Sequence, residues 1–129
     1  MTGPIDQTLL AQLETQASDK RYDYLVQQLI ARGELWILVG DGGSVLLNSD
    51  GDDCVPVWPH QSSASAWVKD EWADCTVTAI SLSDWQARWT EGLLSDGLSL
   101  AVFPNLDEEA LVVSPDAFDE DIYDAVSAQ

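Results

Sequence analysis

Two short apolar runs in the first half of the chain lie on either side of a turn. The runs are ELWILVG (34–40) and SVLLN (44–48), and the turn between them reads DGGS (41–44). An Asp-Gly step tolerates positive φ, which a tight turn between antiparallel strands requires. A second turn, SDGDD (49–53), leads into CVPVW (54–58). The sequence therefore predicts a three-strand meander over residues 34–58, so any fold of this chain must include antiparallel pairing.

Helical periodicity precedes this meander. Residues 6–17 predict a first helix, and the sequence from Ser18 predicts a second whose apolar stripe recurs at i, i+3, i+4, i+7 and i+8. The stripe consists of Tyr22, Leu25, Val26, Leu29 and Ile30. Gly33 stands where the left-handed residue after a helix is expected. We therefore expect the second helix to belong to the core and the first to be an N-terminal extension.

Helical and strand patterns alternate in the second half of the chain. The predicted elements are a helix from QSSAS (61–65) to near Ala73, a strand at CTVTAIS (75–81), a helix at SLSDWQARWTEGLLSDG (81–97), and strands at LSLAVFP (98–104) and LVV (111–113). Ser83 and Gln86 have the spacing of a capping box for the second of these helices. A last helix follows with Ser114 at its N-cap, and we expect Phe118, Ile122 and Val126 to form its buried stripe.

The order of the predicted elements is ααβββαβαββα. Hairpins together with a few crossovers indicate an α+β fold, a mixed α/β sandwich in which helices cover a five- or six-stranded sheet. A length of 129 residues suits one domain. We therefore predict an N-terminal helical extension over residues 1–17 and a single α+β domain over residues 18–129.

Acidic residues greatly outnumber basic ones. The chain has 23 Asp and Glu against five Lys and Arg, a net charge of −18, and no Lys or Arg follows Arg88. Binding of nucleic acid or of an anionic membrane through a basic patch is therefore disfavoured. Negative charge concentrated in this way attracts a basic protein. A less favoured version of this hypothesis is that the acidic residues mimic nucleic acid toward such a protein. The alternative is that the charge only keeps the protein soluble in a salty cytoplasm. The candidate acidic face comprises Asp107, Glu108, Glu109, Asp119, Glu120 and Asp121.

No pattern in the chain predicts a cofactor, a metal ion or a catalytic residue. The N-terminus lacks a secretory pattern and no apolar stretch is long enough to span a membrane, so we expect a soluble cytoplasmic protein. A single histidine excludes a multi-histidine metal centre, and the acidic turn at 48–53 lacks the spacing of a calcium loop. Cys54 and Cys75 are far apart in the chain, which favours free thiols over a disulfide.

One stretch combines aromatic, proline and histidine residues where a strand is predicted to give way to a helix. It is CVPVWPHQSSASAW (54–67). Trp58, Pro59, His60 and Trp67 are its candidate ligand or partner residues, since aromatic rings beside a polar group form binding grooves. The structural alternative is that the tryptophans pin helices to the sheet and that His60 or an early serine caps the helix. A catalytic Cys54–His60 pair is disfavoured because the neighbours of Cys54 are apolar.

Five segments of the chain form a recognisable set. They are VPVWPH (55–60), ASAW (64–67), EWAD (71–74), AISLSDWQARWTEGLLSDGLSLAVFP (79–104) and VVSP (112–115), of which PVWP and AVFP are the most specific parts. Together they resemble the bacterial DUF2750 family over residues 22–125. The resemblance implies a small single-domain protein and brings no assigned activity, cofactor or catalytic residue. The layout is also similar to that of the SseB N-terminal domain, which favours a non-enzymatic interaction or regulatory role.

Three functions are compatible with these features. The first is a non-enzymatic protein that binds a basic partner through the acidic face or the aromatic junction, with a toxin-neutralising immunity protein as one instance. The second is a small-molecule-binding or weakly catalytic domain with a pocket lined by Trp58, His60 and Trp67. The third is a domain whose charge serves only salt adaptation. Strand order and oligomeric state do not follow from the sequence.

Overall fold

The computed structural model describes Gln12 and residues 15–40, 43–44, 46–49, 52–68, 72–104 and 110–127. Most of the predicted first helix (6–17) lies outside these residues.

Helices and strands are mixed along the chain, which confirms the predicted α+β class. The helices are α1 (Ser18–Arg32), α2 (Gln61–Ser65), α3 (Leu82–Asp84), α4 (Thr90–Ser95) and α5 (Pro115–Ser127), and a π-helical turn, Trp85–Trp89, joins α3 to α4. The strands are β1 (Glu34–Gly40), β2 (Gly43–Ser44), β3 (Leu47–Ser49), β4 (Asp52–Val57), β5 (Thr76–Ser81), β6 (Ser99–Val102) and β7 (Leu111–Val113). No helix in this part of the chain has the length and apolarity that crossing a membrane requires.

The strands form two sheets instead of the single five- or six-stranded sheet that the sequence predicts. Among the described residues the strand orders are β2-β1-β5 and β3-β4-β6-β7. The predicted meander is divided because the run SVLLN contributes to two short strands: β2 pairs with β1, whereas β3 pairs with β4. Trp36 and Trp58 join the two sheets through a reciprocal pair of backbone hydrogen bonds, each 2.9 Å long.

The second sheet contains one parallel pair, β4 and β6. Cys54 lies opposite Ser99, and Val57 lies opposite Val102. The connection between the two strands contains α2, β5 and the α3–α4 helix, and β7 then returns antiparallel to β6. Because parallel strands end at the same edge of a sheet, the residues that follow β4 and the residues that follow β6 come together.

The predicted core helix is confirmed as α1. Tyr22, Leu25, Val26 and Leu29 are buried, and Ile30 is half-buried at the end of the stripe. Gly33 has a φ of 75°, and its N–H donates to the Leu29 carbonyl at 2.8 Å. A side chain at this position would be strained, which explains why a glycine ends the helix.

The last helix, α5, begins as predicted and packs along a slightly different stripe. It starts at Pro115, and the Phe118 N–H donates to the Ser114 carbonyl at 3.0 Å. Phe118 and Ile122 are buried, whereas Val126 is 48% exposed, so its predicted burial is wrong. The buried stripe continues through Ala125, at i+7 from Phe118, and Val126 at i+8 falls outside it.

The helix predicted over residues 81–97 is confirmed in extent, but its capping residue differs. The Ser81 hydroxyl accepts a hydrogen bond from the Asp84 N–H at 3.2 Å, so Ser81 and not Ser83 caps α3. The Thr90 N–H donates to the carbonyl of Trp85, five residues back, which defines the π-helical turn. Gly97 follows the helix with a φ of 71°.

The helix after the aromatic junction is shorter than predicted. It spans Gln61–Ser65 and does not reach Ala73. The Trp67 N–H donates to the Ala64 carbonyl and the Val68 N–H to the Ser65 carbonyl, each at 3.0 Å. These bonds span three residues, so the chain tightens into turns and the α-helix ends.

Candidate functional site

The two most specific sequence segments, PVWP and AVFP, meet at the common edge where β4 and β6 end. The Phe103 N–H donates to the Val57 carbonyl at 2.8 Å, which extends the pairing by one bond beyond the strands. Pro59, which follows β4, and Pro104, which follows β6, are both buried. The carboxyl ends of neighbouring parallel strands are where ligands bind in many α/β proteins. We define the junction site as Trp58, His60, Tyr24 and Phe103.

His60 occupies the N-cap position of α2. Its carbonyl accepts a hydrogen bond from the Ala64 N–H at 3.2 Å. Its own N–H donates to the Ser63 hydroxyl oxygen at 3.3 Å, and the Ser63 hydroxyl donates back to the His60 carbonyl at 2.8 Å. A side chain at the third helical position that reaches back to the N-cap is the arrangement of a capping box.

The imidazole of His60 is paired with a tyrosine. His60 Nε2 lies 2.6 Å from the hydroxyl of Tyr24, and the His60 side chain is only 4% exposed. Burial, and secondarily the charge of Arg32, lower the pKa of His60 to about 4, while burial raises the pKa of Tyr24. Both groups are therefore neutral at pH 7, and the hydrogen bond joins an uncharged imidazole to an uncharged phenol.

The tryptophans of the junction pack on one another. Trp58 is 0% and Trp67 is 8% exposed, and their ring centroids lie 5.9 Å apart. Trp67 in turn stacks on Trp72 at 5.2 Å. No described residue accepts a hydrogen bond from the indole N–H of Trp58 or Trp67. The two rings therefore act as apolar contacts of the core.

Sequence analysis did not identify Arg21, a buried residue of α1 that hydrogen-bonds to the backbone of the junction site. This side chain is 1% exposed; its Nε donates to the Phe103 carbonyl at 3.0 Å, and its guanidinium also reaches the Gln16 carbonyl and the Ser18 hydroxyl. Phe103 has a φ of 50°, which is uncommon for a residue with a bulky side chain. The signal in the sequence was weak: Arg21 and Tyr24 lie three residues apart on one face of α1.

The candidate acidic face is only partly described. Asp107, Glu108 and Glu109 lie outside the described residues, whereas Asp119, Glu120 and Asp121 lie on α5. Asp121 accepts a hydrogen bond from the Tyr22 hydroxyl, which ties α5 to α1. Asp119 is half-buried; burial raises its pKa, and a hydrogen bond with Thr90 opposes that shift. Of these three candidate carboxylates, Asp119 and Asp121 bond to neighbouring helices, whereas Glu120 is exposed.

Helix α5 also carries exposed apolar side chains. Tyr123 is 71% exposed and Val126 is exposed on the same side of the helix. Glu120 and Asp124 are exposed beside Tyr123, and no basic residue occurs in the helix. We define the α5 face as Glu120, Tyr123, Asp124 and Val126. It combines an aromatic side chain with a rim of negative charge.

An open groove lies on another part of the molecule. It has a volume of about 340 Å³ and is lined by Arg88, Trp89, Gly92, Leu93, Asp96 and Leu98. Trp89 stacks on buried Trp85 with the ring planes 8° apart. None of the predicted candidate residues lines this groove.

The described residues contain no group of three or more His, Cys, Asp or Glu side chains that could hold a metal ion. Cys54 is buried and Cys75 is half-buried, and neither belongs to a disulfide within the described part of the chain. Burial fits the expected inert character of Cys54.

The fold and the junction define a small α+β domain in which two aromatic–proline segments meet at the ends of parallel strands. A family model for a protein of unknown function, DUF2750, matches residues 22–122, and the chain belongs to that family. The resemblance stated from the sequence is thereby confirmed. A search of curated proteins finds no match.

Proposed function

We propose that this protein is a non-enzymatic protein-binding module of the bacterial cytoplasm, and that it binds a basic partner through the α5 face. The observation that carries the proposal is the 71% exposure of Tyr123 on a helix without a positive charge. Tyrosine is enriched among the residues that dominate binding energy, because its ring buries a large area at a small entropic cost.

Charge supports the choice of a basic partner. The net charge of −18 repels acidic proteins and nucleic acids and attracts basic proteins over distances beyond direct contact. Glu120 and Asp124 place carboxylates next to Tyr123, where they would face Lys or Arg at the rim of an interface. A toxin-neutralising protein that covers a basic toxin is one instance of such a module.

The attachment of α5 to the domain also supports a binding role. Phe118 packs edge-on against Tyr22 at 6.1 Å and against Trp85 at 6.0 Å, and the Tyr22 hydroxyl bonds to Asp121. A helix fixed on its inner face loses little conformational freedom when its outer face binds a partner.

Affinity capture with the full chain tests this proposal. We expect immobilised protein to retain a basic protein from a lysate of its own organism at low salt and to release it as salt rises. Tyr123→Ser should abolish the retention, whereas Leu94→Ser, which removes an exposed leucine from α4, should leave it unchanged. Retention that is indifferent to Tyr123→Ser, or no retention at any salt concentration, contradicts the proposal.

A small-molecule site at the junction is the second candidate. The observation that favours it is the pairing of His60 with Tyr24 at the ends of β4 and β6, beside the unusual backbone of Phe103. A ligand there should raise the melting temperature of the protein, and Tyr24→Phe should remove that increase. A screen of small polar and aromatic compounds that leaves the melting temperature unchanged speaks against this site.

A further inference from the structure

Strand β5 forms one edge of the first sheet in the part of the chain that the structure describes. It pairs with β1 alone, in the order β2-β1-β5. The antiparallel register is continuous from Val39 opposite Thr76 to Glu34 opposite Ser81. An edge strand leaves one row of backbone donors and acceptors without a partner strand.

The hydrogen bonds of β1 identify the groups of β5 that face outward. Trp36 directs both its N–H and its carbonyl at Trp58, on the side of β1 opposite β5. This direction alternates along an antiparallel strand, so the backbone N–H and carbonyl groups of Leu35 and Ile37 face β5. The backbone groups of their partners, Ile80 and Thr78, face β1 in return. The 2.8 Å bond from the Leu82 N–H to the Gly33 carbonyl agrees with this alternation.

It follows that the N–H groups of Val77, Ala79 and Ser81 point away from β1, toward the free edge. Thr76, Ala79 and Ser81 are exposed, and Val77 is half-buried. The strand TVTAIS contains neither proline nor a charged residue, and its register has no bulge. Natural edge strands usually carry one of these features to prevent pairing with another chain, so β5 is open to an added strand.

We propose that the free edge of β5 binds an extended, basic segment of a partner protein as an additional strand. This inference rests on the proposed function and specifies a second, backbone-mediated contact with the same partner. The acidic residues around β5 favour a basic segment as the added strand. Asp74 precedes the strand, Asp84 follows it, and Glu34 lies opposite its last residue. A second copy of this chain would bring another net charge of −18 to the same edge and is disfavoured.

Amide hydrogen exchange of the full chain tests the free edge directly. In the unbound protein, we expect the amides of Val77 and Ala79 to exchange at least about tenfold faster than those of Thr78 and Ile80. Equal protection of all four amides would mean that the edge is already covered and would overturn the proposal. Protection that rises with protein concentration would identify a second copy as the occupant and would also overturn it.

A synthetic peptide tests the occupant. The probe is a capped peptide of alternating valine and threonine flanked by lysines, with two controls: the same peptide flanked by glutamates, and a version with N-methyl groups on alternate amides. We expect the lysine peptide to slow exchange at Val77 and Ala79 and both controls to fail, because they lack the charge or the backbone donors. No slowing with the lysine peptide, or equal slowing with a control, contradicts the proposal.

A matched pair of variants separates this edge from the α5 face. Ala79→Pro removes an outward N–H without removing a bond to β1, and it should weaken peptide binding at least about tenfold. Ala79→Thr keeps the N–H and should bind within about twofold of the natural chain. If Tyr123→Ser abolishes capture of the basic partner while the lysine peptide does not slow exchange in β5, the edge proposal fails and the proposed function stands. If the lysine peptide slows exchange in β5 while Tyr123→Ser leaves capture unchanged, only the α5 face is overturned.

Discussion

The junction site and the α5 face differ in every property that decides what a surface can bind. At the junction Trp58 and His60 are buried, the imidazole is neutral, Arg21 donates to the Phe103 carbonyl, and Tyr24 is hydrogen-bonded to His60. On α5 Tyr123 is exposed among carboxylates and has no comparable packing. The segment richest in unusual residues thus contributes to the core, whereas an ordinary amphipathic helix presents the aromatic side chain to solvent. Substitutions at the junction should therefore lower stability, and those on the α5 face should lower binding.

The largest expected effect is that of Trp58→Ala. The side chain is fully buried and packs on Trp67, so its removal leaves a cavity that the surroundings fill only in part. We expect a loss of about 3–5 kcal/mol in the free energy of unfolding, measured by urea denaturation. Trp89→Ala, at a half-buried ring, is the control and should cost clearly less. A loss below about 1 kcal/mol for Trp58→Ala would show that the junction is loosely packed.

Arg21→Met should have the next largest effect. Methionine retains much of the aliphatic length but removes the donors that bond to the Phe103 carbonyl and the Ser18 hydroxyl. Buried acceptors without donors cost about 1–3 kcal/mol, and we expect a loss of stability in that range. Arg32→Met, at an exposed position in the same helix, should change stability by less than about 0.5 kcal/mol. Equal effects of the two variants would contradict the supporting role of Arg21.

His60 should make the stability of the junction depend on pH. Its pKa is about 4 in the folded protein and about 6.5 in an unfolded chain. Between these values the unfolded chain binds a proton that the folded protein does not, so the contribution of His60 is complete above pH 6.5 and declines toward pH 4. We expect a decline of about 1–2 kcal/mol over that window, allowing for solvent screening.

The measurement for His60 is a comparison of urea denaturation at several pH values for the natural chain and for His60→Asn. Titration of the many carboxylates affects both proteins equally, so the difference between them isolates the imidazole. A difference that stays constant from pH 7.5 to pH 5 would contradict the neutral, buried state of His60.

Local signals in the sequence predict most of the helices and strands. The stripe of α1 and the glycine that ends it depend on residues within one or two turns of each other, and so does the start of α5. Pairing over long distances was not predictable in the same way. The division of SVLLN between two sheets and the parallel pairing of β4 with β6 depend on residues far apart in sequence.

The candidate site shows the same limit. Trp58 and His60 were identified because their residue types are distinctive, but their partners, Trp36 for Trp58 and Tyr24 for His60, lie far from them in sequence. Arg21 bonds to a carbonyl 82 residues away, a contact that no local pattern encodes. For α3, the sequence pattern indicates Ser83 as the cap, but the chain enters the helix two residues earlier, at Ser81, whose hydroxyl accepts from the Asp84 N–H.

The smallest expected effect on stability is that of Tyr123→Ser, and this variant gives the sharpest test of the contrast between the two regions. Tyr123 loses little solvent exposure on folding, so we expect the free energy of unfolding to change by less than about 0.5 kcal/mol. The same variant should abolish retention of a basic partner, while Trp58→Ala should reduce retention only in proportion to the fraction of unfolded protein. A large loss of stability in Tyr123→Ser would mean that this ring packs against the protein itself, and the α5 face would then be a covered surface instead of a binding one.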